Sequence, residues 1–233
     1  MQTAPAPVIV AIDGPSGTGK SSTSRAVATA LGLSYLDTGA QYRAITWWML
    51  TNDVDVNDPA AVAAAAHKPA IVSGTNPAAP GITADGVDAT GPIRTQEVTA
   101  AVSAVSAVPE IRAQLTELQR RIAVEAETGI VVEGRDIGTT VLPDADLKVF
   151  LTASPEARAA RRSGELRGAD GAAKPDLAGT QAALLQRDSA DSSRTTSPLR
   201  QAGDALEVDT TELTLEQVVE CVVTLIREKQ QAG

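Results

Sequence analysis

Val8-Ile9-Val10-Ala11-Ile12, then Asp13, then Gly14-Pro15-Ser16-Gly17-Thr18-Gly19-Lys20-Ser21: this junction decides the fold. The first run is β-branched and apolar, as a strand buried on both faces in a parallel sheet requires. The second matches G-x-x-x-x-G-K-[ST] in full, and Ser21 to Leu31 then reads as a helix closed by Gly32. At average residue usage such a match arises by chance in a chain of this length on the order of one per cent of the time. Glycines let successive backbone N–H groups converge on phosphate oxygens, and the helix N-terminus adds positive potential. The spacing predicts Lys20 between the β- and γ-phosphates of a nucleotide and the Ser21 hydroxyl facing Mg2+. With Ser22 beside it, the run from Gly14 to Ser22 is the expected ATP site.

Outward from the loop, strand-like and helix-like runs alternate. Leu33–Leu36, Ile130–Val132, Leu147–Leu151 and Ala205–Val208 read as strands. Ala40–Asn52, Asp58–His67, Thr95–Val108, the segment after Pro109 and Leu177–Ala190 read as helices. Ser154-Pro155-Glu156 is a helix start, and Thr214 with Gln217 is a capping box for a last amphipathic helix. This alternation predicts an α/β fold, a P-loop NTPase-type parallel sheet flanked by helices. Pro69 to Arg94 breaks it with Gly, Pro, Asn and Asp around two short apolar runs, so a small antiparallel β insertion over 68–94 is expected inside a core of 7–67 and 95–230. Asp88-Ala89-Thr90-Gly91 matches D-x-x-G but reads as a turn of that insertion, and no Asn-Lys-x-Asp exists to read guanine. Ser163–Asp176, rich in Gly, Ala and charge, reads as a mobile loop.

The chain has 233 residues, a net charge of −9 and one cysteine, Cys221. The charge argues against general affinity for nucleic acid or an anionic membrane surface. The N-terminal run lacks a basic region and a long apolar core, so cytoplasm is the expected location; a monomer is the expected state. His67, the single histidine, is expected in solvent; Trp47 and Trp48 are adjacent in one helix, so at most one points fully at a core.

Ligands of an open parallel sheet sit beyond the carboxyl ends of its strands. Three polar clusters fall there: Asp37-Thr38-Gly39-Ala40-Gln41-Tyr42-Arg43, Glu133-Gly134-Arg135-Asp136-Ile137-Gly138 and Arg187-Asp188-x-x-Asp191-x-x-Arg194. Several fixed guanidinium groups around one anion suit phosphoryl transfer, because they bond phosphate in a bidentate fashion and answer charge that spreads in the transition state.

The P-loop, D-T-G-x-x-Y-R, I-R-T-x-E-V, G-R-D-I-G-T and R-D-x-x-D-x-x-R occur here in the order and spacing of the bacterial cytidylate kinases, and the chain resembles that family from about Pro7 to its last helix. The resemblance implies transfer from ATP, with Mg2+, to CMP or dCMP. It implies that Arg43, Arg135 and Arg194 hold the acceptor phosphate with Tyr42 beside it. Ser103, Arg112 and Asp136 would read cytosine, and Arg187 and Asp191 would hold the sugar. Thr38 falls where the family has Ser or Thr. Arg158, Arg161 and Arg162, with the loop after them, resemble a lid over 158–176, Arg162 joining Lys20 at the transferring phosphoryl group. Two departures stand out. Gln41 occupies a usually apolar position. Glu133 precedes G-R-D where Asp is common, a longer carboxylate that changes the outer metal shell if that position reaches Mg2+ through water; Asp37 is the other carboxylate expected there. A kinase for UMP, AMP or a small alcohol, or a silent nucleotide-binding module, remains the alternative.

Overall fold

A computed structural model describes residues 7–170 and 176–232, apart from the side chains of 165–170 and 232. Val8–Asp13 (β1) ends at the phosphate loop and Lys20–Leu31 (α1) leaves it, followed by Ser34–Asp37 (β2), Thr38–Thr51 (α2) and Pro59–Ala65 (α3). Ile71–Ser73 (β3), Ile82–Ala84 (β4) and Val87–Asp88 (β5) come next, then Gln96–Val105 (α4), Pro109–Val124 (α5) and Gly129–Glu133 (β6). Leu147–Thr152 (β7), Pro155–Asp170 (α6), Leu177–Ser192 (α7), Leu206–Asp209 (β8) and Leu215–Ala232 (α8) complete the chain.

The strands form a five-stranded parallel sheet in the order β2-β6-β1-β7-β8, and a separate antiparallel sheet in the order β3-β4-β5. The period of two in β1 sorts its side chains. Val8, Val10 and Ile12 pack with Val27 of α1 and Val222 and Ile226 of α8 on one face. Ala11 joins Val132, Ala123 of α5 and Ile137 on the other. A third apolar cluster lies off the sheet, where α2, α3, α4 and α5 meet Ile71, Ile82 and Ala84 of the small sheet. That sheet is tied down at several points. The Trp48 indole donates to Asp85 Oδ2 (2.6 Å), the amide of Tyr35 on edge strand β2 donates to the Thr75 carbonyl (2.8 Å), and Arg25 reaches the Pro77 carbonyl. Trp47 and Trp48 are both partly buried against the third cluster. Asp88 caps the Thr90 amide in the turn that D-x-x-G marks.

One expectation needs correction. Ser163 to Asp170 is not a loop, because α6 continues through it to Asp170. Its Ala, Leu, Glu and Arg are good helix formers, and two glycines lower helix stability without ending it. The remainder of the expected loop, 171–175, lies outside the described residues. The stretch after G-R-D, for which the sequence suggested no element, is a π-helical turn over Ile137–Val141. It is held by Asp13, whose two carboxylate oxygens accept from the amides of Ile137 (2.9 Å) and Gly138 (2.8 Å).

Candidate active site

At the carboxyl end of β1 the chain turns without room for a side chain. Gly14 has φ +146°, and a Cβ on it would lie 2.2 Å from the Leu151 carbonyl oxygen of neighbouring β7. The loop then folds over its own lysine: Lys20 Nζ (2.7 Å) and Thr18 Oγ1 (3.1 Å) both donate to the Pro15 carbonyl. Asp188 of α7 accepts from the Ser16 amide and pairs with Arg158, whose Nε donates to the Ser16 carbonyl (2.6 Å). The loop is therefore clasped from outside by α6 and α7.

Opposite the loop, Arg135 uses three donors in three directions. Nη1 bonds the Gly14 carbonyl (2.8 Å), Nη2 the Ser16 hydroxyl (2.6 Å) and Nε the Asp191 carboxylate (2.9 Å). The second oxygen of Asp191 takes Arg194 Nη2, which also reaches the Ser106 hydroxyl (3.0 Å). Asp191, 2 % exposed, is thus a buried anion holding two guanidiniums in register. Arg43 donates to Thr99 Oγ1 (2.9 Å) and Ile93 O (3.3 Å). The Arg187 pKa is pulled down to about 10 by burial and by Arg135 and Arg43 nearby. Its Nε is buried without a hydrogen bond among the described residues. Crowded like charges that lower one another's pKa are stabilised by an anion placed between them.

Deeper in, Arg112 Nη2 pairs with Asp136 Oδ2 at 2.6 Å, and Arg112 lies 5.4 Å from the centre of the Tyr42 ring. Both members of the pair are buried, Arg112 at 4 % exposure and Asp136 at 5 %.

These groups surround one cleft of about 440 Å3, within the size range of small-molecule sites. Ser16, Gly17, Gly19, Lys20, Ser21 and Ser22 form one end. Arg43, Arg135, Arg162, Arg187, Asp191 and Arg194 form the middle, with Tyr42, Arg112 and Asp136 beyond, and Asp37, Thr38 and Glu133 on the floor. Ser73, Pro80 and Ile82 of the antiparallel insertion form a wall. Arg43, Arg135 and Arg194, remote in the chain, share a hollow with Gly19.

The floor suits a hard divalent cation. Ser21 Oγ donates to Glu133 Oε2 (3.0 Å), and the Tyr35 hydroxyl donates to the other oxygen. Burial pushes the Glu133 carboxyl up, Asp37 beside it adding to the effect, while burial and Arg135 pull Lys20 down. A hydroxyl and two carboxylates that repel one another offer Mg2+ the few oxygen ligands it takes alongside phosphates and water. Asp37 is also the N-cap of α2, accepting from the Ala40 amide (2.9 Å).

The family model described as cytidylate kinase matches residues 10–228. The chain belongs to the cytidylate kinase family. Among its relatives in that family, it is 76 % identical over 98 % of its length to a cytidylate kinase of Streptomyces coelicolor, covering 96 % of that protein. It is 72 % identical to one of Streptomyces avermitilis, over 99 % of this chain and 97 % of that one. A solved structure of a protein from Eubacterium ventriosum aligns over 95 % of this chain and 98 % of that one, with a TM-score of 0.50 at 12 % identity, which speaks to fold alone.

Most of the residues that the sequence singled out line this one cleft. Gly14, Pro15 and Thr18 shape the loop from behind without lining the cleft. Ser103 does not line it either; Ser106, three residues on and on the same helical face, does, and its carbonyl also takes Arg112 Nη1 (3.2 Å). Arg158 and Arg161, expected with the lid, do not line the cleft. Arg158 is tied to Ser16 and Asp188, and Arg161 to Thr210, while Arg162 lines the cleft. Asp188 as a clasp on the loop carried no signal in the sequence beyond its motif. Asp191 sits between Arg135 and Arg194, and only proximity in space reveals that. Thr38 Oγ1 donates to the Glu133 carbonyl (2.7 Å), a hydroxyl joining α2 to β6. Among the described residues no cluster of three His, Cys, Asp or Glu side chains could hold a metal, and no helix is long and apolar enough to cross a membrane. His67 is exposed.

Proposed function

We propose that this chain transfers the γ-phosphoryl group of ATP directly to CMP or dCMP, giving CDP or dCDP. The observation that carries the reading is Arg135. Its guanidinium spans from the Gly14 carbonyl and Ser16 hydroxyl of the donor loop to Asp191, which in turn holds Arg194. Donor and acceptor phosphates therefore meet at one fixed cation.

The roles follow from position. Lys20 and the loop amides take the β- and γ-phosphates, and Arg162 answers charge on the transferring group. Arg43, Arg135 and Arg194 grip the acceptor phosphate, Asp191 setting the angle of two of them. Ser21, with Asp37 and Glu133 behind it, would hold Mg2+, which supplies positive charge to the triphosphate. The acceptor oxygen is already anionic, so no general base is needed, and catalysis is alignment plus charge stabilisation. Arg187 faces the sugar. Asp136 accepts from the cytosine N4 amino group, while Arg112 and the Ser103–Ser106 end of α4 supply donors to O2 and N3. The small insertion over 68–94 walls the acceptor end, and Arg162 of α6 stands over the donor end. The activity fits a protein of the cytoplasm.

A coupled ADP-release assay with CMP, dCMP, UMP and AMP side by side tests the reading. CMP and dCMP are expected to drive ADP release far above the ATP-only rate, with UMP on the order of a hundred-fold less efficient. Equal rates with and without CMP would make the chain a nucleotide binder instead.

A further inference from the structure

The least expected feature of the interior is a line of amides. Gln41 and Gln119 are both 0 % exposed. Gln119 Nε2 donates to Gln41 Oε1 (3.0 Å), and Gln41 Nε2 donates to the hydroxyl of Ser73 (3.0 Å), which lies on β3 and lines the cleft. Apolar side chains would fill the same space in a cluster built from Ala44, Ile45, Ile111 and Leu115 without demanding partners.

The line ends where the base pocket begins. Gln41 precedes Tyr42 in α2, and Gln119 lies two turns after Arg112 in α5, on the same face. The Gln119 amide is close enough to the Tyr42 hydroxyl to act on its acidity, although no hydrogen bond of good geometry joins them. Burial pushes that phenol up to about 12, with Arg112 pulling the other way. The Tyr42 hydroxyl and Gln119 Oε1 are both buried and unpaired among the described residues.

We infer that Gln41 and Gln119 are positioning residues for the acceptor base. They tie α2, which carries Tyr42, and α5, which carries Arg112, to Ser73, so the small sheet sets the distance between the cleft wall and the groups that read the base. This rests on Arg112 and Asp136 being the base readers. Neither amide touches substrate. They act through the helices that carry Tyr42 and Arg112, and so on binding of the acceptor more than on the transfer step.

The test compares wild type, Gln41→Leu, Gln119→Leu and the double variant by melting temperature and by steady-state kinetics with CMP, UMP and ATP. Each single variant strands an amide in the interior and is expected to melt lower. The double variant removes both amides together, which is close to neutral for stability, so its melting temperature returns towards wild type. Its KM for CMP is nevertheless expected to stay raised about tenfold, with a smaller CMP-over-UMP preference, kcat within about twofold and KM for ATP unchanged. A double variant that recovers CMP KM along with its stability overturns the inference, because the amides are then only packing. Single variants with wild-type KM and selectivity overturn it as well. A wild-type protein that does not turn over CMP refutes the functional reading itself, a separate outcome seen before any variant is compared.

Discussion

Replacing Asp136 with asparagine tests how the base is read. The aspartate carboxylate spends one oxygen on Arg112, at 2.6 Å, and both side chains are buried. Asp136→Ala would remove the base contact but also strand Arg112, confusing selectivity with local collapse. Asp136→Asn keeps the shape. Its carbonyl oxygen stays with Arg112, the better donor, which turns the NH2 group towards the substrate. A group that only accepts becomes one that donates, and the matching base edge changes from the N4 amine of cytosine to the O4 of uracil. In wild type, uracil sets an acceptor against a buried carboxylate, costing a few kcal/mol, on the order of a hundred-fold. In the variant, cytosine presents amine to amine, and the penalty changes sides. The ratio of kcat/KM for CMP over UMP is expected to fall by at least about a hundred-fold, to near or below one. The charge-assisted bond to Arg112 becomes neutral, costing about 1 to 2 kcal/mol and about 3 to 6 °C of melting temperature in a chain of this size. Coupled ADP release with each acceptor and a thermal melt measure both. A variant that melts lower yet keeps the wild-type CMP-over-UMP ratio would refute the base-reading role.

Lys20→Met is expected to lower kcat by about a thousandfold or more in the same assay; its melting temperature should not fall, since a buried charge whose pKa is already pulled down is removed. Asp13 predicts a pH dependence of stability. Its pKa is raised from 3.8 to about 6, chiefly by burial, so the folded state holds a proton that the unfolded chain releases between those values. Stability from this group therefore falls as pH rises from about 4 to about 6, by about 3 kcal/mol, and is level above that. Melting temperatures across that window are expected to show a shallower slope for Asp13→Asn; an unchanged slope assigns the effect elsewhere. Gly14→Ala meets the Leu151 carbonyl at 2.2 Å in a backbone conformation that suits glycine. It is expected to lose about 3 kcal/mol or more and about 10 °C in a thermal scan.

What was legible in the sequence was what neighbours along the chain decide. β1 and the loop after it declare themselves through β-branched residues followed by glycines. The start of α6 is readable because a cap and a proline are local devices. The antiparallel insertion shows in its turn residues. The rest depends on groups that meet only in space. Nothing local says that Asp13 gathers the amides of Ile137 and Gly138 and so winds the next five residues into a π turn. Ser103 and Ser106 are equivalent by helical phase, and the end of α4 decides between them. Arg158 opens the basic stretch of α6, yet its partners Ser16 and Asp188 come from opposite parts of the chain. Gln41 looks like a harmless departure until Gln119 and Ser73 are seen on either side of it.

The bond from the Tyr35 amide to the Thr75 carbonyl has a consequence away from catalysis. β2 is an outer strand of the main sheet, and its free flank is a ready template for another chain. The insertion lies against that flank like a hem. Trimming it away to make a smaller enzyme would leave a raw border on the sheet, and the first symptom is expected to be clumping during expression rather than slower turnover.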